Sequence, residues 1–302
     1  MLVEDQPMKM VSENLPLVSI IITTKNEEKN IGNCLESIKQ QSYPSDRTEI
    51  IVVDNNSTDK AKEIARRYTK KVYNYPLNGA GNIKNFRGAQ LNFGVKRNKG
   101  EIIFFPDADM AFDKKLIEEA VGLVINGRLD ALYIPEIVVG KGLFGKIRNF
   151  ERSFYNGTCI DAVRIVRKNL FLKVGGFDEK NIGFGFDDWD FNKKIRKIGG
   201  KIGITKSKIY HHEENMTIGG YLNKKEKYAA TAESYIQKWS RGDPDIQKQF
   251  GFWYRYFGIF LENGKWKKLL KHPILTGGMY FLRLAVGAIY LYQKFFQNEK
   301  AS

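Results

Sequence analysis

Cysteine is nearly absent: Cys34 and Cys159 are the only two in 302 residues. They stand far apart, which excludes a disulfide framework and the usual cysteine zinc spacings and suits a reducing cytosolic setting. Acidic charge is also short, with 34 Asp and Glu against 49 Lys and Arg and a formal charge of +15. Such a surplus points to an anionic partner: nucleic acid, anionic lipid or a phosphorylated substrate. No nucleic-acid recognition motif accompanies it, so the last two are expected. There is no internal repeat and no low-complexity segment. Residues 1–16 mix acids, Lys9 and prolines without an apolar core, so they read as a flexible lead-in rather than a secretory signal. No Gly-x-Gly-x-x-Gly follows the first apolar run, which argues against a dinucleotide oxidoreductase. Nor does a glycine-rich loop with arginine stand there, as a sugar-1-phosphate nucleotidyltransferase would need.

What is present is alternation. Val18-Ser19-Ile20-Ile21-Ile22-Thr23 and Ile50-Ile51-Val52-Val53 are short β-branched runs, as expected of strands buried on both faces of a parallel sheet. Ile31, Cys34, Leu35 and Ile38 recur at helical spacing after the first. Ala61, Ile64, Ala65 and Tyr68 do so after the second, with Ser57 or Thr58 as the expected cap. A third helix around Ala89 to Val95 leads to the strand Ile102-Ile103-Phe104-Phe105. This pattern predicts a doubly wound, mostly parallel α/β sheet, whose ligands sit beyond the carboxyl ends of the strands. Three polar clusters fall there: Thr23 to Glu27, Asp54 to Asp59 and Asp107 to Asp109. Further on, strands are expected near Ala131 to Ile134 and Lys201 to Ile204, and a helix near Phe191 to Ile198.

Asp107 and Asp109, one residue apart at a strand end, can share a divalent cation or divide between metal and ribose hydroxyls. Asp187, Asp188 and Asp190 crowd three negative charges before a helix, and their repulsion is expected to raise at least one pKa. His211 and His212 lie between apolar residues and acids. A neutral imidazole there can hold a cation while a neighbour fixes its tautomer, and strand alternation lets only one of the two face the site.

These motifs, in the order Val18–Glu28, Val52–Asp59, Phe105–Met110, Val174–Glu179, Asp187–Asp190 and His211–Glu213, resemble the family 2 glycosyltransferases of the GT-A, Rossmann-like fold. The resemblance covers roughly Val18 to Tyr228. It implies that Thr23 and Lys25 line the nucleotide base and that Asp54 hydrogen-bonds its ring. Arg87 would contact the donor with Asn92 supporting that segment, and Asp107 would approach the ribose. Asp109 and His211 would hold Mn2+ or Mg2+, and Asp188 would be the catalytic base. Asp187, Asp190 and Arg164 are further candidates for acceptor or diphosphate contact. Lys25 stands where the family often has an aromatic residue, and Asp187 where it usually has Glu. Glu151-Arg152, with Tyr155, reads first as a helix-surface pair, with a contribution to the acceptor pocket as the alternative.

The expected organisation is the lead-in 1–16, a transferase domain 17–220 (nucleotide-sugar half 17–110, acceptor half 111–220) and a helical, basic-aromatic region 221–302. That last region has 14 basic and 6 acidic residues, and aromatics beside lysines suit the headgroup zone of an anionic membrane. Ile274 to Tyr292 is nearly long enough to span a bilayer, but Arg283 at its centre would cost about 2.5–3.5 kcal/mol, so an in-plane or shallow helix is expected; the alternative is an ordinary helical bundle covering the sheet edge. A chain ended near Arg241 is expected to stay mostly soluble and to bind nucleotide, provided the sheet does not need the tail as cover. Together these readings predict an inverting transferase of the inner membrane face, taking a nucleoside-diphosphate sugar (UDP-linked) to a glycan or lipid-linked acceptor. The competing reading is a membrane-associated sugar-nucleotide binder without turnover.

Overall fold

The computed structural model describes residues 15–76, 83–183 and 185–296; most of the N-terminal lead-in lies outside them. Within 15–17 the chain is already anchored, since Leu15 is buried and Tyr43 donates its hydroxyl hydrogen to the Pro16 carbonyl.

The first half runs β1 (Val18–Thr24), α1 (Ile31–Lys39), β2 (Thr48–Asp54), α2 (Ala61–Arg66), β3 (Val72–Asn74), α3 (Phe86–Val95), β4 (Ile102–Phe104) and β5 (Met110–Phe112). Then come α4 (Leu116–Ile125), β6 (Ala131–Tyr133), β7 (Glu136–Val139), α5 (Gly142–Arg152), β8 (Val163–Arg167), α6 (Lys168–Lys173), α7 (Asp187–Lys197), β9 (Ile202–Ile204) and β10 (Ile209–His212). Seven strands form one sheet in the order β3-β2-β1-β4-β8-β6-β9, and β5-β10-β7 form a second. In the large sheet only β8 runs against its neighbours, pairing antiparallel with β4 and β6. The alternation of β1 explains its unbroken apolar reading. Ile20 and Ile22 point into a core with α1, α2 and α4, and Ile21 into another with α3, α6 and α7. Both faces are covered, so neither shows a polar side. The cap expected of Ser57 or Thr58 is not used: the α2 N-terminus is met by Asp59, which accepts from the Ala61 amide at 3.0 Å. Ser57 instead turns back to Asp54.

The C-terminal helices are α8 (Ile218–Ala229), α9 (Ala232–Trp239), α10 (Pro244–Phe250), α11 (Ile259–Leu261), α12 (Trp266–Lys271) and α13 (Pro273–Phe296). They are packed onto the sheet domain. Ile259, Phe260, Met279 and Leu282 close a core with Ile147, Phe150 and Phe154, and Tyr235 with Ile246 closes another over Ile182 and Phe186. Arg283, which the sequence set against a full span, is buried: it lies 3.4 Å from Glu151 and donates to the Tyr155 hydroxyl at 2.7 Å. Glu151 and Arg152 are likewise not a surface pair. Glu151 binds Arg148 at 2.9 Å and Arg152 binds Asp161 at 2.8 Å, all well inside.

Candidate active site

The large sheet brings its polar strand ends to one edge. Thr23 bridges to Asp107 across the β1–β4 seam, so the first and third polar clusters of the sequence meet. Because β8 runs backwards, its beginning lies at this same edge, and Phe105 donates its amide to the Arg164 carbonyl at 2.8 Å. That reversal delivers the Arg164 guanidinium to Asp107, Nη1 to Oδ2, at 2.9 Å.

Arg87 stands in the first turn of α3, whose start is fixed by Asn85 accepting from the Gly88 amide at 2.9 Å. Its Nε donates to Asp107 Oδ1 at 3.0 Å, and its Nη1 donates to Asp187 Oδ2 at 2.8 Å and Asp188 Oδ1 at 3.2 Å. One guanidinium therefore ties the strand-end aspartate to the start of α7. Burial alone would raise the Asp107 carboxyl, but Arg87 and Arg164 outweigh it and hold the group well below the usual carboxylate range. Asp187 goes the other way: burial first, then the Asp188 charge, raise it against the pull of Arg87. Crowding of the acids thus adds to the shift, second to burial. Of the pair, Asp187 is buried and Asp188 is partly exposed. Asp190 does not join them. Its Oδ1 accepts from Trp239 Nε1 at 2.8 Å and Lys238 Nζ at 2.7 Å, on another side of the helix.

Asn92 clamps the turn before α7: Nδ2 donates to the Phe177 carbonyl at 2.9 Å and to Glu179 at 2.7 Å, while Oδ1 accepts from the Phe177 amide at 3.0 Å. Gly176 is required there, with φ +63° and a Cβ position only 2.5 Å from Asn92 Oδ1.

Toward β1 and β2, Thr23 is half-buried and Lys25 exposed. Asp54 is fully buried, accepting from the Ser57 amide at 2.8 Å and its hydroxyl at 2.5 Å, with Lys62 Nζ at 3.9 Å. Beside it, Thr24 Oγ1 and Asn55 Oδ1 are buried without a hydrogen-bond partner.

The second sheet supplies the other half of the site. His211, on β10, places Nε2 3.0 Å from Asp109 Oδ2 and Nδ1 2.9 Å from Glu136 Oε1. Glu136 is held in turn by Arg152 at 3.2 Å. Burial would lower the His211 pKa, but Asp109 and Glu136 push it up to about 10. His212, next along the strand, faces Asn33 and Glu214 instead. Asp109 Oδ1 is buried and unpartnered. An orphaned carboxylate oxygen beside an oriented imidazole fits a hard divalent cation, whose charge would replace the imidazole proton. Among the described residues no three His, Cys, Asp or Glu side chains group into a metal cage. Asp109 and His211 would therefore leave several positions to phosphate oxygens and water.

An open cleft of about 260 Å³ lies over this pair, lined by Asn30, Asp109, His211, Asn215, Thr217 and Lys224 among others. Lys224, on α8, was missed by the sequence reading, which placed it in the membrane-facing region. Burial lowers its pKa, but Tyr228, Glu213, Asp109 and Asp107 outweigh this, so it stays charged over the site. Glu136 was missed too. It follows Pro135 in a stretch with no acidic spacing to mark it, and only strand pairing between β7 and β10 brings it to His211.

Comparison with known proteins gives the family and the fold. A family model described as Glycosyl transferase family 2 matches residues 19–177, and one described as the N-terminal domain of galactosyltransferase matches 142–226. The chain is 32% identical over 120 residues to glycosyltransferase AglE of Haloferax volcanii, covering 40% of this chain and 39% of that one. It is 24% identical over 271 residues to the probable glycosyltransferase YdaM of Bacillus subtilis, covering 82% and 64%. It thus spans less than two thirds of the length of either relative. Among solved structures, mannosyltransferase PcManGT from Pyrobaculum calidifontis, in complex with GDP-Man and Mn2+, superposes with a TM-score of 0.60 at 20% identity, covering 94% of this chain and 89% of that one.

Proposed function

The chain belongs to glycosyl transferase family 2, and on that premise we propose that it moves a sugar, with inversion, from a nucleoside-diphosphate sugar (UDP-linked) to a glycan or lipid-linked acceptor at the cytosolic face of a membrane. The observation that carries this reading is the Arg87 guanidinium, which joins Asp107, Asp187 and Asp188 beside the Asp109–His211 pair.

In this reading Thr23, Lys25 and Asp54 border the base, and Asp107 the ribose. Asp188, the more open acid of its pair, takes the proton from the acceptor hydroxyl as that oxygen attacks the anomeric carbon. Arg87 keeps its carboxylate aimed at the cleft until substrate enters, and Arg164 holds Asp107 in place. A cation on Asp109 and His211, Mn2+ or Mg2+, supplies neutralisation of the charge on the departing diphosphate. Lys224 reinforces that neutralisation from above, and Asp187 supports the acceptor side of α7, whereas Asp190, held by Trp239 and Lys238, takes no part. The metal dependence is consistent with the orphaned Asp109 Oδ1.

The test is release of free nucleoside diphosphate from a panel of nucleotide sugars, with and without Mn2+, by the chain and by Asp188→Asn. Donor bound but never turned over by the unaltered chain would replace this reading with the sugar-nucleotide binder.

A further inference from the structure

Eleven of the eighteen large apolar side chains found exposed lie between Phe252 and Tyr292. On α13, Ile274, Phe281, Leu284 and Leu291 are 57% to 74% exposed. With Gly277 and Ala288 they make one stripe at alternating three- and four-residue spacing. Such a stripe is one face of a helix, and here it has no protein cover: only 17% of the most apolar stretch of Pro273–Gln293 is buried. A core helix would be mostly buried, so this is not one. Phe252, Trp253, Phe257, Trp266 and Leu270 extend the exposed apolar surface through the preceding turns and α12.

The opposite face of α13 is fixed to the domain over several turns. Met279 and Leu282 enter the core with Ile147 and Phe150. At Gly278 a Cβ would meet Ile147 Cδ1 at 2.3 Å, and at Gly287 it would meet the Tyr256 hydroxyl at 2.4 Å. Tyr280 donates to the Tyr256 carbonyl and Tyr256 to the Arg283 carbonyl, each at 2.8 Å.

Charge identifies the occupant. Between residues 251 and 296 seven basic side chains stand against one acidic, Glu262. An apolar stripe beside α12, whose Lys267, Lys268 and Lys271 are exposed, matches acyl chains beneath anionic headgroups. A second copy of the chain would bring like charges together instead.

We propose that α13, with the Phe252–Trp266 turns and α12, seats this protein on an anionic lipid bilayer with α13 lying in the membrane plane, not crossing it. The proposal deepens the membrane-face reading above and rests on it for its purpose. Pro273–Gln293 is long and apolar enough to cross a bilayer. Crossing, however, would either carry Glu151 and Arg148 into hydrocarbon or strip Arg283 of the partners that satisfy it. Lying flat keeps those pairs and presents the stripe to lipid.

The full chain tests this by sedimentation with vesicles of pure phosphatidylcholine and of equal parts phosphatidylcholine and phosphatidylglycerol. It is expected to partition to the anionic vesicles, weakly to the neutral ones, and to be released by alkaline carbonate. The double variant Phe281→Glu/Leu284→Glu should lower anionic partitioning at least about ten-fold, with an unchanged thermal midpoint because these side chains point outward. Lys267→Glu/Lys268→Glu/Lys271→Glu should lower it on the order of a hundred-fold. Unaltered partitioning in either variant overturns the proposal. Resistance to carbonate overturns the in-plane arrangement in favour of a span. A lower oligomeric mass in the stripe variant without lost vesicle binding assigns the face to a second copy. Nucleoside diphosphate release in vesicle-free buffer is read separately, so a chain that binds vesicles but turns over no donor refutes the transferase reading and leaves this one standing.

Discussion

At Arg87 a single side chain is bonded to three carboxylates, and substitutions among them separate their roles. Asp188→Asn should lower turnover by about two to four orders of magnitude, the usual range for a positioned acid–base group. Donor affinity, measured by calorimetry, should change little. A larger loss in Asp187→Asn, whose carboxyl is the one raised by burial and by its neighbour, would move the base by one residue. Asp109→Asn should abolish metal-dependent transfer with the fold intact, and full activity in EDTA would refute that role. Glu136 carries the subtler expectation, because it meets His211 at the nitrogen turned away from Asp109. Glu136→Gln should weaken Mn2+ affinity about 10–100-fold, read by metal titration with a circular dichroism spectrum to check the fold. Asp107, Asp109, Asp188 and His211 were legible in the sequence because each sits in an ordered motif. Glu136, Lys224 and the role of Arg152 were not: each reaches the site through pairing or packing between segments distant in the chain.

The helices tell a related story of what local pattern omits. α5 reads in sequence as a helix with a polar pair on its surface, and α13 as an apolar helix interrupted by arginine. Each feature is explained by the other, since Arg283 and Arg148 flank Glu151 between them. Burial alone would raise Glu151, but Arg283 and Arg148 lower it from 4.5 to about 2. A depressed carboxylate contributes stability that is fully present above its unfolded pKa and lost as pH falls through its folded one. The loss here falls between pH 4.5 and about 2 and is on the order of 3 kcal/mol. Thermal midpoints across that window should fall faster for the unaltered chain than for Glu151→Gln, which is less stable at neutral pH but lacks this titration. Parallel slopes would show that the network does not hold α13. The central arginine, charged to the membrane when read in one dimension, is a structural ion pair in three.

For the whole molecule, the tail is not a separable appendage. The sequence reading expected a chain ended near Arg241 to remain soluble. Removing residues beyond it uncovers Ile147, Phe150 and Phe154, now closed over by Ile259, Phe260, Met279 and Leu282. Each such side chain is worth about 1.5–3 kcal/mol when buried. The shortened chain is therefore expected to aggregate during size-exclusion chromatography, whereas the full chain elutes as a discrete species. A soluble shortened chain that still binds nucleotide would show that this core is dispensable.

By itself the sequence determined the doubly wound sheet, its polar edge and most of the acidic groups on it, because strand burial and helix periodicity are local patterns written every two or every three to four residues. Only the tertiary structure decided which of those groups meet. The reversal of β8 carries Arg164 to Asp107, the pairing of β7 with β10 gives His211 its second carboxylate, and the packing of α13 on α5 turns Arg283 inward and leaves one apolar face bare. Those outcomes depend on contacts between residues tens of positions apart, for which no periodicity in the chain carries a signal.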